Sequence, residues 1–343
     1  MKAALYEKVG RIKLREVERN APGPGYVLVD TRCAGICGSD LHNYFWHWEP
    51  PLDKALGHEV AGVVLEVGQG VEGFAPGDRV AVEGFAYDGD CAYCRQGHYN
   101  HCLSRGWFWG AGHGGFSQYS TMHVSTISRL PEHFSFEQGA LVEPLAVAHR
   151  AVMQAGLAPG DRVLVIGGGS IGLLTLAAAI AAGARETAIT AKYPQQIRIA
   201  EALGADYVVD AARIDVVDFV REWTNEGMVE CVIETVGGAG NFNDSLKCVK
   251  KRGVVVLVAG YYEPLAVDIG NIVGREAIVR GSNCYAYSSG QKDVDTAIQL
   301  IAAGKVEPTK IVTHRLPLDD VEEAFRIAAD KSSGAIKVHL VQT

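Results

Sequence analysis

Up to about residue 130 the chain is written in short alternating or β-branched runs cut by Gly and Pro, as where Tyr26-Val27-Leu28-Val29-Asp30 follows Pro22-Gly23-Pro24-Gly25. That rhythm predicts a β-rich front half. Residues 60–67, the turn Gly68-Gln69-Gly70-Val71 and then Pro76-Gly77-Asp78-Arg79-Val80 read as strand, turn and strand, so His58 and Glu59 fall where a buried strand begins. Beyond residue 150 the pattern changes. Val163-Leu164-Val165-Ile166 is a continuous apolar run suited to a parallel strand buried on both faces, followed by Gly167-Gly168-Gly169-Ser170-Ile171-Gly172 and a Leu- and Ala-rich helix over 173–182. Strand-like segments at 187–190, 207–209, 230–234, 254–259 and 277–281 alternate with helical patterns. Together with the first run they predict a six-stranded, doubly wound α/β fold. A helix over 293–304, a strand over 310–316, a helix over 318–329 and a strand over 335–340 complete the chain.

With 343 residues and 48% apolar side chains, the chain has room for two domains and an ordinary globular core. A net charge of −8 argues against nucleic acid or an anionic membrane as the partner and leaves a small molecule. Met1-Lys2-Ala3-Ala4-Leu5 enters a strand-like segment rather than a secretory signal, and the longest apolar runs are too short to span a bilayer. A cytoplasmic protein is expected. Eight Cys, three of them between positions 91 and 102, suit metal binding in a reducing compartment better than a disulfide framework.

Candidate chemistry concentrates between residues 37 and 59. Cys37-Gly38-Ser39-Asp40-Leu41-His42 and Gly57-His58-Glu59 bring together a thiolate, an imidazole and carboxylates, the donors that Zn²⁺ accepts at a catalytic site with one position open. Zinc there acts as a Lewis acid on a bound oxygen, Ser39 can relay a proton, and His42 is of the side-chain type that hands one to solvent. Asp40 can orient an imidazole or, with Ser39, cap a helix. Tyr44-Phe45-Trp46-His47-Trp48 and Trp107-Phe108-Trp109 are far richer in aromatics than the 8% average of the chain; they are read either as core or as the walls of an apolar pocket formed by Phe45, Trp46, Trp48, Trp107 and Trp109. The glycine turn between strand and helix (Gly167, Gly169, Ser170, Ile171, Gly172) marks a dinucleotide site, with pyrophosphate at the helix N-terminus. Where NAD-type sites place an acid at the end of the second strand, this chain has Ala191-Lys192-Tyr193. With no carboxylate to repel a 2′-phosphate, and with Lys192 and the more distant Arg198 to attract one, NADP(H) is favoured and NAD(H) is the alternative.

Gly35-Ile36-Cys37-Gly38-Ser39-Asp40-Leu41-His42, Gly57-His58-Glu59-Val60-Ala61-Gly62 and Pro76-Gly77-Asp78-Arg79-Val80 resemble the zinc-dependent medium-chain alcohol and polyol dehydrogenases, and the resemblance extends over nearly the whole chain. It implies a GroES-like catalytic domain over 1–150 with a cysteine lobe at 88–102, a Rossmann domain over 151–290, and a segment over 291–343 that rejoins the catalytic domain, the active site lying in the cleft between domains. Cys37 and His58 become zinc ligands, Glu59 a ligand or exchangeable near-ligand, Ser39 the contact to the substrate oxygen and His42 the proton's exit. Cys91, Cys94 and Cys102 match a structural-zinc lobe whose first position here is Asp88 instead of Cys; His98 and His101 compete for that fourth place. Glu143 stands where the alcohol-specific branch has Cys and the sorbitol, threonine and butanediol branch has Glu. The resemblance thus implies a zinc-dependent oxidoreductase for a secondary alcohol or polyol, assembled as a homodimer or homotetramer. Rival readings are a zinc-independent enone or quinone reductase, opposed by Cys37, His58 and Glu143, and a nucleotide-binding structural or regulatory protein with a relict zinc site, opposed by Ser39 and His42.

Overall fold

The computed structural model of the chain describes residues 1–45 and 53–342. They form two units, Met1–Glu143 with Val312–Thr343, and Pro144–Ile311. In chain order the first unit contributes the hairpin β1 (Lys2–Lys8) and β2 (Arg11–Glu16), then β3 (Tyr26–Gly35), α1 (Gly38–Phe45), β4 (Glu59–Val67) and β5 (Arg79–Val82). A small hairpin of β6 (Phe85–Ala86) and β7 (Gly106–Trp107) follows, then β8 (Tyr119–His123), β9 (Ile127–Arg129) and α2 (Phe136–Ala140). α3 (Val142–Ala155) opens at the boundary, with Pro144 in its first turn, where a missing N–H costs no hydrogen bond.

The second unit continues with β10 (Arg162–Ile166), α4 (Ser170–Ala181), β11 (Glu186–Ala191), α5 (Pro194–Ala202), β12 (Tyr207–Asp210), α6 (Val216–Trp223), β13 (Val229–Glu234), α7 (Ala239–Cys248) and β14 (Val249–Leu257). It ends with α8 (Ile269–Arg275), β15 (Ile278–Gly281), the hairpin β16 (Tyr287–Ser288) and β17 (Gln291–Lys292), and α9 (Asp293–Ala302). The chain then returns to the first unit through β18 (Val312–Pro317), α10 (Val321–Ala329) and β19 (Lys337–Val341). That return falls at Val312, not at residue 291. Asp293 is the reason: fully buried, it accepts from Ala286 N at 2.8 Å and meets His149 Nδ1 of α3 at 2.8 Å, which ties the start of α9 into the second unit.

The main sheet of the first unit runs β18-β19-β3-β4-β5-β9, with β8 also on β3. β3 is therefore central, and its mostly buried side chains (Val27, Val29, Ala34) share a core with Tyr6, Val60, Val64, Phe116, Phe325 and Leu340. The second unit holds the six expected strands, all parallel, in the order β12-β11-β10-β13-β14-β15. This is the doubly wound order, with the direction of strand addition reversing between β10 and β13. Among the described residues no helix is long and apolar enough to cross a membrane.

The glycine turn after β10 is shaped by close backbone approach. Gly167 adopts φ +113°, in the region that favours glycine, and its N–H donates to Thr190 Oγ1 at 2.9 Å. A Cβ on Gly172 would lie 1.7 Å from the Gly167 carbonyl oxygen, whereas one on Gly169 would meet nothing within 4 Å. Gly172→Ala should therefore destabilise the protein by about 1–3 kcal/mol through forced backbone shifts. Gly169→Ala should leave the melting temperature unchanged and weaken only dinucleotide binding. Thermal melts with and without cofactor check both outcomes.

Candidate metal centre and dinucleotide site

Three chain segments build the first cluster. Cys37 lies just before α1, His58 just before β4, and Glu59 begins β4. One ligand atom from each lies within 4.8 Å of the other two. Asp40, buried in the first turn of α1, accepts from Cys37 N through Oδ2 at 2.9 Å, reaching back to the residue before the helix, while its Oδ1 stands 3.8 Å from His58 Nδ1, an electrostatic contact longer than a hydrogen bond. Ser39 and Asp40 therefore lie inside the helix and are not its N-cap, which corrects that reading. With Nδ1 turned to Asp40, Nε2 is the nitrogen left for a metal.

The electrostatics ask for a cation. Burial disfavours a charged His58, yet Asp40, Cys37 and Glu143 outweigh it and hold the imidazole well above its ordinary pKa. A thiolate, an imidazole and surrounding carboxylates are donors that suit Zn²⁺, so the residues fit the metal. Glu143, in the first turn of α3, is 6% exposed; it stands outside the tight cluster but close enough for its charge to act on His58. On α1, Ser39 is exposed and His42 half-buried.

Glu59 enters the cluster already partnered. Both its carboxylate oxygens lie 2.7 Å from Lys337 Nζ of β19, with Glu59 0% and Lys337 2% exposed, and the same ammonium donates to Ile36 O at 3.1 Å. A Cβ at position 35 would come within 2.0 Å of Glu59 Oε2, so Gly35 is what lets this carboxylate lie against β3. Nothing in the local sequence signals Lys337. The alternation Ile336-Lys337-Val338-His339-Leu340 puts Lys337 on the face opposite the apolar side chains, yet both faces of the strand are buried.

A second cluster comprises Asp88, Cys91, Cys94 and Cys102, again with ligand atoms mutually within 4.8 Å. Among the described residues neither His98 nor His101 joins it. Asp88 Oδ1 accepts from Cys91 N at 3.0 Å and Asp90 N at 2.8 Å, and these bonds hold its carboxyl well below the usual range. The backbone N–H of Cys94 draws the Cys91 thiol down to about 7, whereas desolvation and neighbouring thiols push Cys94 up to about 12. Cys102 Sγ accepts from Asp88 N and Ser104 N. Amide donors aimed at sulfur stabilise thiolate, the form a metal binds. All eight cysteines are free.

The aromatic residues divide. Trp109 is 3% exposed and belongs to the core, which corrects its reading as an open pocket wall; Trp107, 39% exposed, stacks on it at 4.8 Å and 7°. Phe45 is exposed and packs edge-on against Tyr44. Trp46 and Trp48 lie outside the described residues.

In the second unit Gly167 follows β10, Gly169 is the N-cap of α4, and Ser170, Ile171 and Gly172 form its first turn. Ala191 ends β11, buried and without a carboxylate; Lys192 is exposed, with Nζ 5.9 Å from the Tyr193 ring, and Arg198 lies further along α5. Next to these strand ends is a cavity of about 390 Å³ lined by Ile166, Thr190, Arg213 and Asn241, among others. Sequence reading missed Arg213 and Asn241, which come from loops and helices after other strands. Counting forward from a third and a fourth strand end was the signal available.

A β-rich unit carrying two metal-donor clusters, joined in one chain to a doubly wound unit with a glycine turn, has the architecture of a zinc-type dehydrogenase. Residues 23–132 match the family model for the alcohol dehydrogenase GroES-like domain and residues 170–303 that for zinc-binding dehydrogenase. The chain is 31% identical over 335 residues to a sorbitol dehydrogenase of Halalkalibacterium halodurans, covering 96% of each chain. It is 35% identical over 356 residues to the (R,R)-butanediol dehydrogenase of Bacillus subtilis, covering 98% of this chain and 99% of the relative. A solved structure of a zinc-binding dehydrogenase from Sinorhizobium meliloti 1021 bound to NADP superposes with a TM-score of 0.90 at 31% identity, covering 99% of each chain. The chain belongs to the zinc-dependent medium-chain alcohol dehydrogenase family.

Breaking a buried ion pair strands the remaining charge, at a cost of about 3–5 kcal/mol. Lys337→Met should lower stability by that amount, and Lys337→Met combined with Glu59→Met should recover most of the loss. Denaturant melts of the double-mutant cycle measure it.

Proposed function

We propose that the protein interconverts a secondary alcohol or polyol and the corresponding ketone, using NADP(H) in preference to NAD(H). The observation that carries this reading is the convergence of Cys37 and His58 under the charge of the nearby Glu143, where the alcohol-specific branch has a thiol. Zn²⁺ held by Cys37, His58 and Glu143 supplies the Lewis acidity that lowers the pKa of a substrate hydroxyl, and the nicotinamide supplies the hydride acceptor or donor. Asp40 fixes the ring of His58. Ser39 takes the proton from the substrate hydroxyl, and His42 passes it to solvent. Glu59, spoken for by Lys337, acts as an outer counter-charge instead of a ligand. Phe45 and Trp107 offer apolar surface to the carbon skeleton.

The preference for NADP(H) rests on Ala191, which leaves no carboxylate at the end of β11, and on Lys192 beside it, with Arg198 as a further cation; Arg213 is already paired with Asp210 at 3.4 Å. A panel of polyols, vicinal diols and aliphatic and aromatic secondary alcohols, followed at 340 nm with each cofactor before and after zinc chelation, tests the whole reading. One alcohol class should reduce NADP⁺ in a chelator-sensitive way, and Lys192→Glu should shift the KM ratio toward NAD⁺ by about tenfold, the effect of one lost charge contact. Silence across the panel with NADPH still bound would favour a nucleotide-binding protein with a relict site.

The free thiols suit a cytoplasmic location. A homodimer or homotetramer is supported by the unpaired outer edge of β15, where Ile278 is exposed, as are Tyr262 and Val273 nearby in sequence. Asp88, Cys91, Cys94 and Cys102 hold a second zinc in this reading. Native mass spectrometry reads both points at once: an even assembly with two zinc ions per chain is expected, and monomers carrying one would reject both.

A further inference from the structure

We propose that Tyr261 and Glu234 form a latch that presets one wall of the dinucleotide crevice, making Tyr261 a positioning residue for the cofactor that acts through Glu234. This rests on the reading of the second unit as a dinucleotide site. In an open parallel sheet the ligand binds beyond the carboxyl ends of the strands at the point where the strand order reverses, here between β10 and β13. One wall is the glycine turn after β10. The facing wall is the turn after β13, residues 235–238.

These two turns are pressed together. Thr235 donates to Ile166 O through its backbone N at 3.0 Å and through Oγ1 at 2.9 Å, and a Cβ on Gly167 would come within 2.5 Å of the Val236 side chain and 2.6 Å of Thr235 Oγ1. Gly237 and Gly238 hold φ of +92° and +86°, so the turn has an unusual backbone path that needs fixing from below. Glu234, the last residue of β13 and 0% exposed, does the fixing: Oε1 accepts from Val236 N at 2.7 Å and from Gly237 N at 2.8 Å. Its other oxygen accepts the phenol of Tyr261 at 2.5 Å.

Tyr261 comes from the loop after β14, so the bond joins that loop to the turn. The joint is close: a Cβ on Gly237 would lie 3.3 Å from Gly260 O and 3.5 Å from Ala259 Cβ. From the turn the constraint passes to groups facing the crevice. Asn241 donates to Gly237 O at 2.8 Å and lines the cavity that also contains Ile166 and Thr190. Val236, 56% exposed beside the glycine turn, presents an apolar surface that a bound nucleotide would cover. A fully buried carboxylate is retained at high desolvation cost, met here by three donors. Its charge also turns two amide N–H groups inward, leaving the start of α4 as the place for phosphate.

Fluorescence titration of NADPH into wild type, Tyr261→Phe and Glu234→Gln, with melting curves and steady-state kinetics, tests the latch. Tyr261→Phe should raise the NADPH Kd and cofactor KM by about tenfold, the factor of one charge-assisted hydrogen bond, with kcat unchanged; the cofactor-free melting temperature should also fall, because the buried Glu234 carboxylate loses one of its three donors. Glu234→Gln, which keeps an acceptor for the turn, should bind NADPH more tightly than Tyr261→Phe. A wild-type Kd in Tyr261→Phe would overturn the proposal, as would a lowered melting temperature with the Kd unchanged. Failure of wild type itself to bind NADPH or NADH would overturn the dinucleotide reading and the latch together, so the wild-type titration tells the two failures apart.

Discussion

The constraint on which the first unit turns is that neither of two buried charges be left alone: Glu59 and Lys337 meet as an ion pair across 278 positions of sequence. It anchors the start of β4 to the start of β19 on either side of β3, and Gly35 of β3 leaves the space it occupies. Two charges removed from water are tolerable only when each satisfies the other, and here one ammonium meets both carboxylate oxygens. The consequence for the metal centre is electrostatic. With Glu59 paired to Lys337, it is Asp40, Cys37 and Glu143 that hold the His58 imidazole well above its ordinary pKa against burial. The C-terminal strand is thus part of the site, which explains why the chain returns to its first unit after completing the second.

How much of this was legible in the sequence follows from how local each signal is. The six strands of the second unit, the glycine turn and the Cys91-Ala92-Tyr93-Cys94 spacing are written in contiguous residues, and the structure has them where their patterns lie. Cys37, His58 and Glu59 were readable as donors from residue type. Lys337 was not, because a lysine inside a short alternating strand has no local mark of its partner. Trp109 misled for the opposite reason. Aromatic density is local, but whether a ring faces core or cleft is decided by the packing of Phe108 and Phe116 around it. The boundary at Val312 escaped because the side chain that sets it, Asp293, finds His149 and the Ala286 amide only in three dimensions.

Carboxylates near the three candidate binding regions differ less in chemistry than in how the protein already uses their oxygens. Asp88 has Oδ1 on two backbone amides, and one of its oxygens lies within 4.8 Å of the three sulfurs, in the place where a cysteine would stand. Glu59 has both oxygens on Lys337 while one of them also lies within 4.8 Å of the Cys37 and His58 donors, so a metal drawing on it would share it with a buried ammonium. Glu234 has both engaged as well, by two amides and a phenol, and so serves shape instead of ligation. Sequence alone gives three acidic residues beside candidate sites. The hydrogen-bond inventory of each shows how much of its charge the protein already uses, because every strong donor on an oxygen weakens what that oxygen can give to anything else.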